Sequence, residues 1–151
     1  MSPLPPPDPD FAARARCSFE RQAVMRTLGA RVTTVEAGSV ELRLPYRADL
    51  TQQHGFLHAG IVATLLDSAC GYAAFTLMPP EAGVLTVEYK INLVAPAQGD
   101  ELVAHGRVVK AGRTLTVCWG EATMESDGGS KLVATMAATM MTILGREDVR
   151  G

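Results

Sequence analysis

Residues 59–77 read AGIVATLLDSACGYAAFTL, and Pro79-Pro80 follow at once. Apolar and small residues recur there at helical spacing, and two consecutive prolines cannot continue a helix, so the stretch predicts one long helix over about Ala59 to Leu77. Ile61, Leu65 and Leu66, with Val62, Ala69 and Ala73, supply bulk. Gly60, Ala63, Thr64, Asp67, Cys70, Gly71 and Ala74 form a stripe of small side chains that permits close approach of another backbone. Asp67 is the only formal charge between Asp49 and Glu81. An ionised carboxylate away from bulk water is costly, so a sequence that keeps one there pairs it, hydrogen-bonds it or uses it chemically.

Outward from this helix the pattern is mostly β. Phe11 to Leu28 has mixed helical character with Gly29 as a natural stop. Arg31 to Glu36 and Val40 to Leu44 read as a hairpin turning at Ala37-Gly38. Beyond the helix, Val84 starts a run of period two in which Leu85, Val87, Tyr89, Ile91 and Leu93 face one way and Thr86, Glu88, Lys90 and Asn92 the other. Three more strands are expected at about Glu101 to Val109, Thr114 to Met124 and Leu132 to Ile143, turning at Ala111-Gly112 and Asp127-Gly128-Gly129. Antiparallel strands around a single buried helix indicate an α+β fold, its sheet curling over the helix.

The chain has 151 residues and a formal net charge of -2, which suits one domain and argues against a general nucleic-acid binder. We expect residues 1–10, with five prolines, to be a flexible tail, residues 11–145 one domain, and residues 146–151 a second flexible tail. The three cysteines are odd in number and lack a Cys-x-x-Cys spacing, so neither a disulfide framework nor a zinc site is suggested, and a reducing cytoplasm fits best. Ala59 to Met78 has roughly the length of a membrane span, but its small residues, the central Asp67 and the lack of flanking Lys or Arg favour a buried helix and no membrane partner.

The start of the helix is the second point of chemical interest. Unpaired backbone N–H groups near His58, Ala59 and Gly60 favour an oxygen carrying negative charge and would polarise a carbonyl. Ala59 and Asp67 are eight residues apart, roughly 12 Å along a helix, so they cannot both touch one reacting carbon from a single chain. If both serve one substrate, two copies of the helix run antiparallel across a two-fold axis.

Gln52, Gly55, His58-Ala59-Gly60 and Asp67, followed by Val84-Leu85-Thr86-Val87-Glu88 and Leu93-Val94-Ala95-Pro96-Ala97, resemble the pattern of the PaaI-like hotdog-fold thioesterases over roughly residues 19 to 143. The resemblance implies a curved antiparallel sheet of five to six strands around one central helix. It also implies hydrolysis of an acyl-coenzyme A thioester by a homodimer or dimer of dimers, without metal or cofactor. Carried over residue by residue, Asp67 is the nucleophile or the base that activates water, and the Ala59 N–H polarises the thioester oxygen. Gln52 holds water or substrate, Thr86 positions the water, and His58 braces the loop. His54, Gly55 and Gly60 would line the substrate path, while Lys110, Gly112 and Arg113 form a basic turn suited to phosphates. Gln52 replaces the commoner Asn, and Ala59 replaces a Gly where the substrate should pass. Two rival readings are a hotdog dehydratase or hydratase, and a non-catalytic acyl-CoA binding protein. Cys70, one turn beyond Asp67, reads as a packing residue.

Overall fold

The computed structural model describes residues 6–151. Two short helices, α1 (Phe11–Glu20) and α2 (Ala23–Leu28), precede the hairpin β1 (Arg31–Glu36) and β2 (Ser39–Pro45). The long helix α3 (Ala59–Phe75) follows, and then β3 (Gly83–Leu93), β4 (Glu101–Ala111), β5 (Leu115–Ser126) and β6 (Gly129–Ile143). All six strands form one antiparallel sheet in the order β1-β2-β4-β5-β6-β3. The sheet wraps α3, which packs against β2, β3, β4, β5 and β6. This is the α+β arrangement the strand and helix periods predict. No helix among the described residues is long and apolar enough to cross a membrane.

The core lies between α3 and the concave face of the sheet. Leu65, Leu66 and Phe75 of the helix meet Leu42, Leu102, Met136 and Met140 of the strands, all fully buried. Each such side chain contributes about 1.5–3 kcal/mol relative to exposure. The helix comes closest at Gly106 and Gly120, which face each other across β4 and β5. A Cβ on Gly106 would lie 2.4 Å from the Ala69 carbonyl, and one on Gly120 would lie 3.0 Å from Cys70 Sγ. The close approach that the small residues of α3 permit is therefore made at Ala69 and Cys70 with the chain's own sheet. Of the expected stripe, Gly60, Thr64 and Asp67 stay open on the other side of the helix.

Bulges interrupt strict alternation in β1, β4, β6 and β3, and the one in β3 bears on the site. β3 pairs Thr86 with Met140 but Glu88 with Thr139, leaving Val87 as a bulge. A bulge re-aims the side chains beside it. Thr86 therefore shares the helix-facing side with Tyr89, Ile91 and Leu93, while Leu85 joins Glu88, Lys90 and Asn92 outside, which corrects the unbroken alternation expected from the sequence.

Smaller differences have local causes. The Phe11–Leu28 segment divides at Arg21-Gln22, and Gly29, at φ 77°, ends α2 as a left-handed cap. α3 stops at Phe75, two residues before the expected Leu77. There the Thr76 hydroxyl donates to the Ala73 carbonyl and accepts from the Gly38 N–H, both at 2.7 Å.

Of the expected Pro-rich tail, residues 1–5 lie outside the described residues. Asp8 is buried, and its carboxylate takes the Arg14 Nε–H at 2.7 Å. Arg14 also donates to the carbonyls of Phe75 and Met78 and stacks 4.1 Å from the Phe75 ring centroid. A cation at the negative end of α3 explains why this part of the tail is held. At the other end, residues 146–151 pack back instead of hanging free. Glu147–Val149 forms a short 3-10 turn, and the Gly151 N–H donates to Ala82 O at 3.3 Å. The Val149 carbonyl oxygen sits 1.7 Å from where a Gly83 Cβ would be, so only a glycine admits this contact.

Candidate active site

Asp67 projects from the open side of α3 into a chamber of about 340 Å³. The bulge at Val87 turns Thr86 toward it, and the Thr86 hydroxyl donates to Asp67 Oδ1 at 2.7 Å. Burial holds the Asp67 carboxyl above the ordinary carboxylate range, and the Thr86 bond opposes this only in part. Desolvation wins because a single neutral hydroxyl replaces little of the water an ionised carboxylate loses. Such a group takes up a proton more readily than an exposed aspartate.

The start of α3 is built by a separate loop. The Gln52 N–H donates to Phe56 O at 2.9 Å and the Gly55 N–H to Gln52 O at 3.1 Å. The Tyr46 hydroxyl fastens Gly55 O at 2.6 Å. Gly55 has φ 83°, a conformation that a side-chain-bearing residue adopts only at a cost. The Gln52 side-chain carbonyl accepts the His54 N–H, which leaves its NH₂ as the end free to meet a ligand. His58 is the N-cap of α3, and its Nδ1 accepts the Gly60 N–H at 2.9 Å. The His58 ring lies close over Gly60, where an added Cβ would be 3.1 Å from Nδ1. No non-glycine residue has positive φ among the described residues, so Ala59 enters the helix without strain. Among the described residues its N–H meets no acceptor.

Gln52 and Ala59 border a second cleft of about 410 Å³, together with Leu93, Val94 and Pro96 at the end of β3. Asp67 and Thr86 border the first, with Val84 and Leu85 at the beginning of the same strand. The two clefts share no residue. Within one chain the structure thus joins Thr86 to Asp67 and places Gln52 beside Ala59, but keeps the two pairs apart.

The remaining candidates are dispersed. His54, Gly55, His58 and Gly60 belong to the loop and helix start without lining either cleft, and His54 is exposed. Lys110, Gly112 and Arg113 sit at the β4–β5 turn, which the Gly112 N–H closes on Leu115 O at 2.9 Å. Thr116 beyond that turn lies in the same cross-strand row as Met140 and Thr86, so the basic turn flanks the Asp67 end of the sheet. Cys70 is buried and its thiol is pushed far up by burial, and Cys118 is pushed up to about 12 for the same reason. Both are protonated packing residues.

Sequence reasoning missed the rest of the Asp67 chamber. Ser18 and Gln22 from the α1–α2 segment, Ser68 and Tyr72 from α3, and Val149 from the C-terminal turn all line it. Ser18 lies in the last turn of α1 and Gln22 at the break before α2, so no helical spacing joins them and no local pattern says which neighbour either will meet.

The sequence model described as the thioesterase superfamily matches residues 54–131. Acyl-coenzyme A thioesterase 13 of Homo sapiens is 32% identical over 112 residues, 72% of this chain and 77% of that protein. The crystal structure of a thioesterase family protein from Silicibacter pomeroyi superposes with a TM-score of 0.88 at 57% identity, covering 89% of this chain and 99% of that one. The Escherichia coli PaaI protein from the phenylacetic acid degradation operon superposes with a TM-score of 0.79 at 21% identity, over 89% of this chain and 94% of its own, and shares the fold.

Proposed function

This chain belongs to the thioesterase superfamily and is a thioester hydrolase, and we propose that it cleaves acyl-coenzyme A thioesters at sites shared between two copies of itself. The observation that carries this reading is the position of the two half-sites. The Asp67 chamber lies at the beginning of β3 and the Gln52–Ala59 cleft at its end. β3 is one of the two edge strands of the sheet, and Leu85, Val87, Tyr89 and Leu93 on it are all at least 44% exposed. A long apolar edge strand invites pairing with another strand. Antiparallel pairing of two β3 strands about their middle brings the start of one against the end of the other, and so one chain's Asp67 against its mate's Ala59. Exposed Leu85 and Leu115 on the outer face give such dimers a surface on which to associate in pairs.

In the proposed reaction the Ala59 N–H holds the thioester oxygen at the helix start, where positive backbone charge stabilises the developing oxyanion. Water attacks the carbonyl carbon while Asp67 of the other copy removes its proton, or Asp67 attacks that carbon directly and water releases the acyl group afterwards. Collapse of the intermediate breaks the carbon–sulfur bond, and the thiolate leaves and takes up a proton. The Gln52 NH₂ orients the water or the acyl group, Thr86 fixes the Asp67 carboxylate, and the turn of Lys110, Gly112 and Arg113 meets the phosphates of coenzyme A.

Thiol release from a series of acyl-CoA esters tests the activity, and mixing tests the shared site. Gln52→Ala and Asp67→Asn proteins, each nearly inactive, should regain activity when unfolded together and refolded. Every mixed dimer carries one undamaged pair, so recovery should reach about a quarter of the wild-type rate. No recovery would place the whole site within one chain.

The same geometry sets the pH dependence. Asp67 must be ionised to act, so turnover should fall as pH drops through its raised pKa, at a higher pH than an ordinary carboxylate would give. Thr86→Val removes the bond that favours the ionised form, and the acid limb of the kcat profile should move further up. An unmoved limb would show that another group titrates.

A further inference from the structure

One wall of the Asp67 chamber is polar, in contrast to the mainly apolar lining of the Gln52–Ala59 cleft. Beyond Asp67 and Thr86, that wall carries Ser18, Gln22, Ser68 and Tyr72, while exposed Arg21, Asp148 and Arg150 and the apolar Phe75 and Val84 also border the chamber. Tyr72 is 5% and Ser68 9% exposed, so both have left bulk water. Their internal partners are few and long. The Tyr72 hydroxyl lies 3.2 Å from Ser18 Oγ, and Ser68 Oγ donates to Gln22 Oε1 at 3.5 Å, the outer limit of a hydrogen bond. The Tyr72 ring is locked edge-on between Phe19 and Phe75, with centroids 5.8 and 6.0 Å away, which fixes where its hydroxyl points. Buried polar groups so weakly bonded to one another retain capacity for a ligand, and an apolar chain laid against them would strand them.

We propose that this cluster reads the acyl group: Tyr72, with Ser18, Gln22 and Ser68, accepts a hydroxyl or similar hydrogen-bonding substituent near the far end of a short acyl chain. The inference rests on the acyl-CoA reading of Asp67 and narrows its substrate class. Tyr72 follows Asp67 by five residues, about 7.5 Å along the helix axis and about 140° around it, so an acyl chain joining the two must span at least about six extended bonds. The substrate that fits is a terminally hydroxylated acyl chain of at least about six carbons. Val149, packed over Gly83, lines the same chamber and limits longer chains.

The test compares 6-hydroxyhexanoyl-CoA with hexanoyl-CoA. The wild-type protein should favour the hydroxylated ester about tenfold or more in kcat/KM, the range one buried hydrogen bond supplies. Tyr72→Phe keeps the ring, and Ser18→Ala removes a hydroxyl at the helix surface. Each should bring that ratio down toward one. Equal use of the two esters by the wild type, or a ratio that neither variant changes, overturns the proposal. A second readout separates this from failure of the acyl-CoA reading. Calorimetric binding of the two corresponding non-hydrolysable thioether analogues should show the same preference, and its loss in Tyr72→Phe, even in a protein that releases no thiol. Equal binding of the two analogues would sink the proposal whatever the turnover.

Discussion

Asp67→Asn should lower turnover of any acyl-CoA substrate by at least about 10²–10⁴-fold, the contribution typical of a positioned acid–base group. The substitution is nearly isosteric, and the Thr86 hydroxyl can still donate to the amide oxygen, so the lesion is confined to charge and basicity. Its effect on stability should run the other way. Burial raises the folded-state pKa of Asp67 above that of the unfolded chain, so its ionised form weakens the fold increasingly as pH rises through the folded value. Below the unfolded pKa the residue is protonated in both states and the cost vanishes. The Asp67→Asn protein should therefore melt no lower than the wild type at neutral pH, with any advantage closing in acid. Thiol-release kinetics and thermal melts on the same preparations check both halves. A variant that turned over normally would remove Asp67 from the chemistry.

Gly106→Ala should be strongly destabilising, because it places a methyl against the main chain of the central helix. The new Cβ would lie 2.4 Å from the backbone of Ala69, and backbone in the middle of α3 cannot swing aside as a side-chain tip would. Overpacking of a core costs about 1–3 kcal/mol, and an obstacle made of main chain belongs at the upper end. For a chain of this size about 3 kcal/mol corresponds to a melting shift of roughly 6–12 °C. Gly128→Ala is the matched control, because an added Cβ there meets nothing within 4 Å. Its melting point should stay near that of the wild type. Similar melts for the two variants would mean that α3 does not rest on the glycine pair.

Much of this arrangement is legible before any coordinates are seen. The small-residue run with its one acid and two closing prolines fixes the central helix, and the period-two runs fix the strands, because both patterns record which side of an element is buried. Eight residues between Ala59 and Asp67 already separate the half-sites, since helix rise is a constant of the backbone. The cap that His58 makes is equally readable from its place ahead of the helix. Other features are set by contacts between distant segments. Nothing local distinguishes Ser18 and Gln22 from ordinary surface residues until α1 is laid beside Tyr72. The hold of Arg14 on the end of α3 needs partners 61 and 64 residues along the chain. Residue 87 defeats a pattern reading most directly, because one extra residue reverses the assignment of Thr86 while leaving the strand's composition ordinary.

What β3 stores at residue 87 is a count, not a chemical group. Val87 is half exposed and stands outside the pairing register, so many side chains could occupy the position without disturbing what lies around it. Removing the residue would close the bulge and leave Thr86 and Glu88 consecutive opposite Met140 and Thr139, so Thr86, Tyr89, Ile91 and Leu93 would all keep their side and only the local bend and twist of the strand would change. Length changes in this segment are therefore governed by parity: an odd change between Thr86 and Tyr89 removes the need for a bulge, and an even one keeps it.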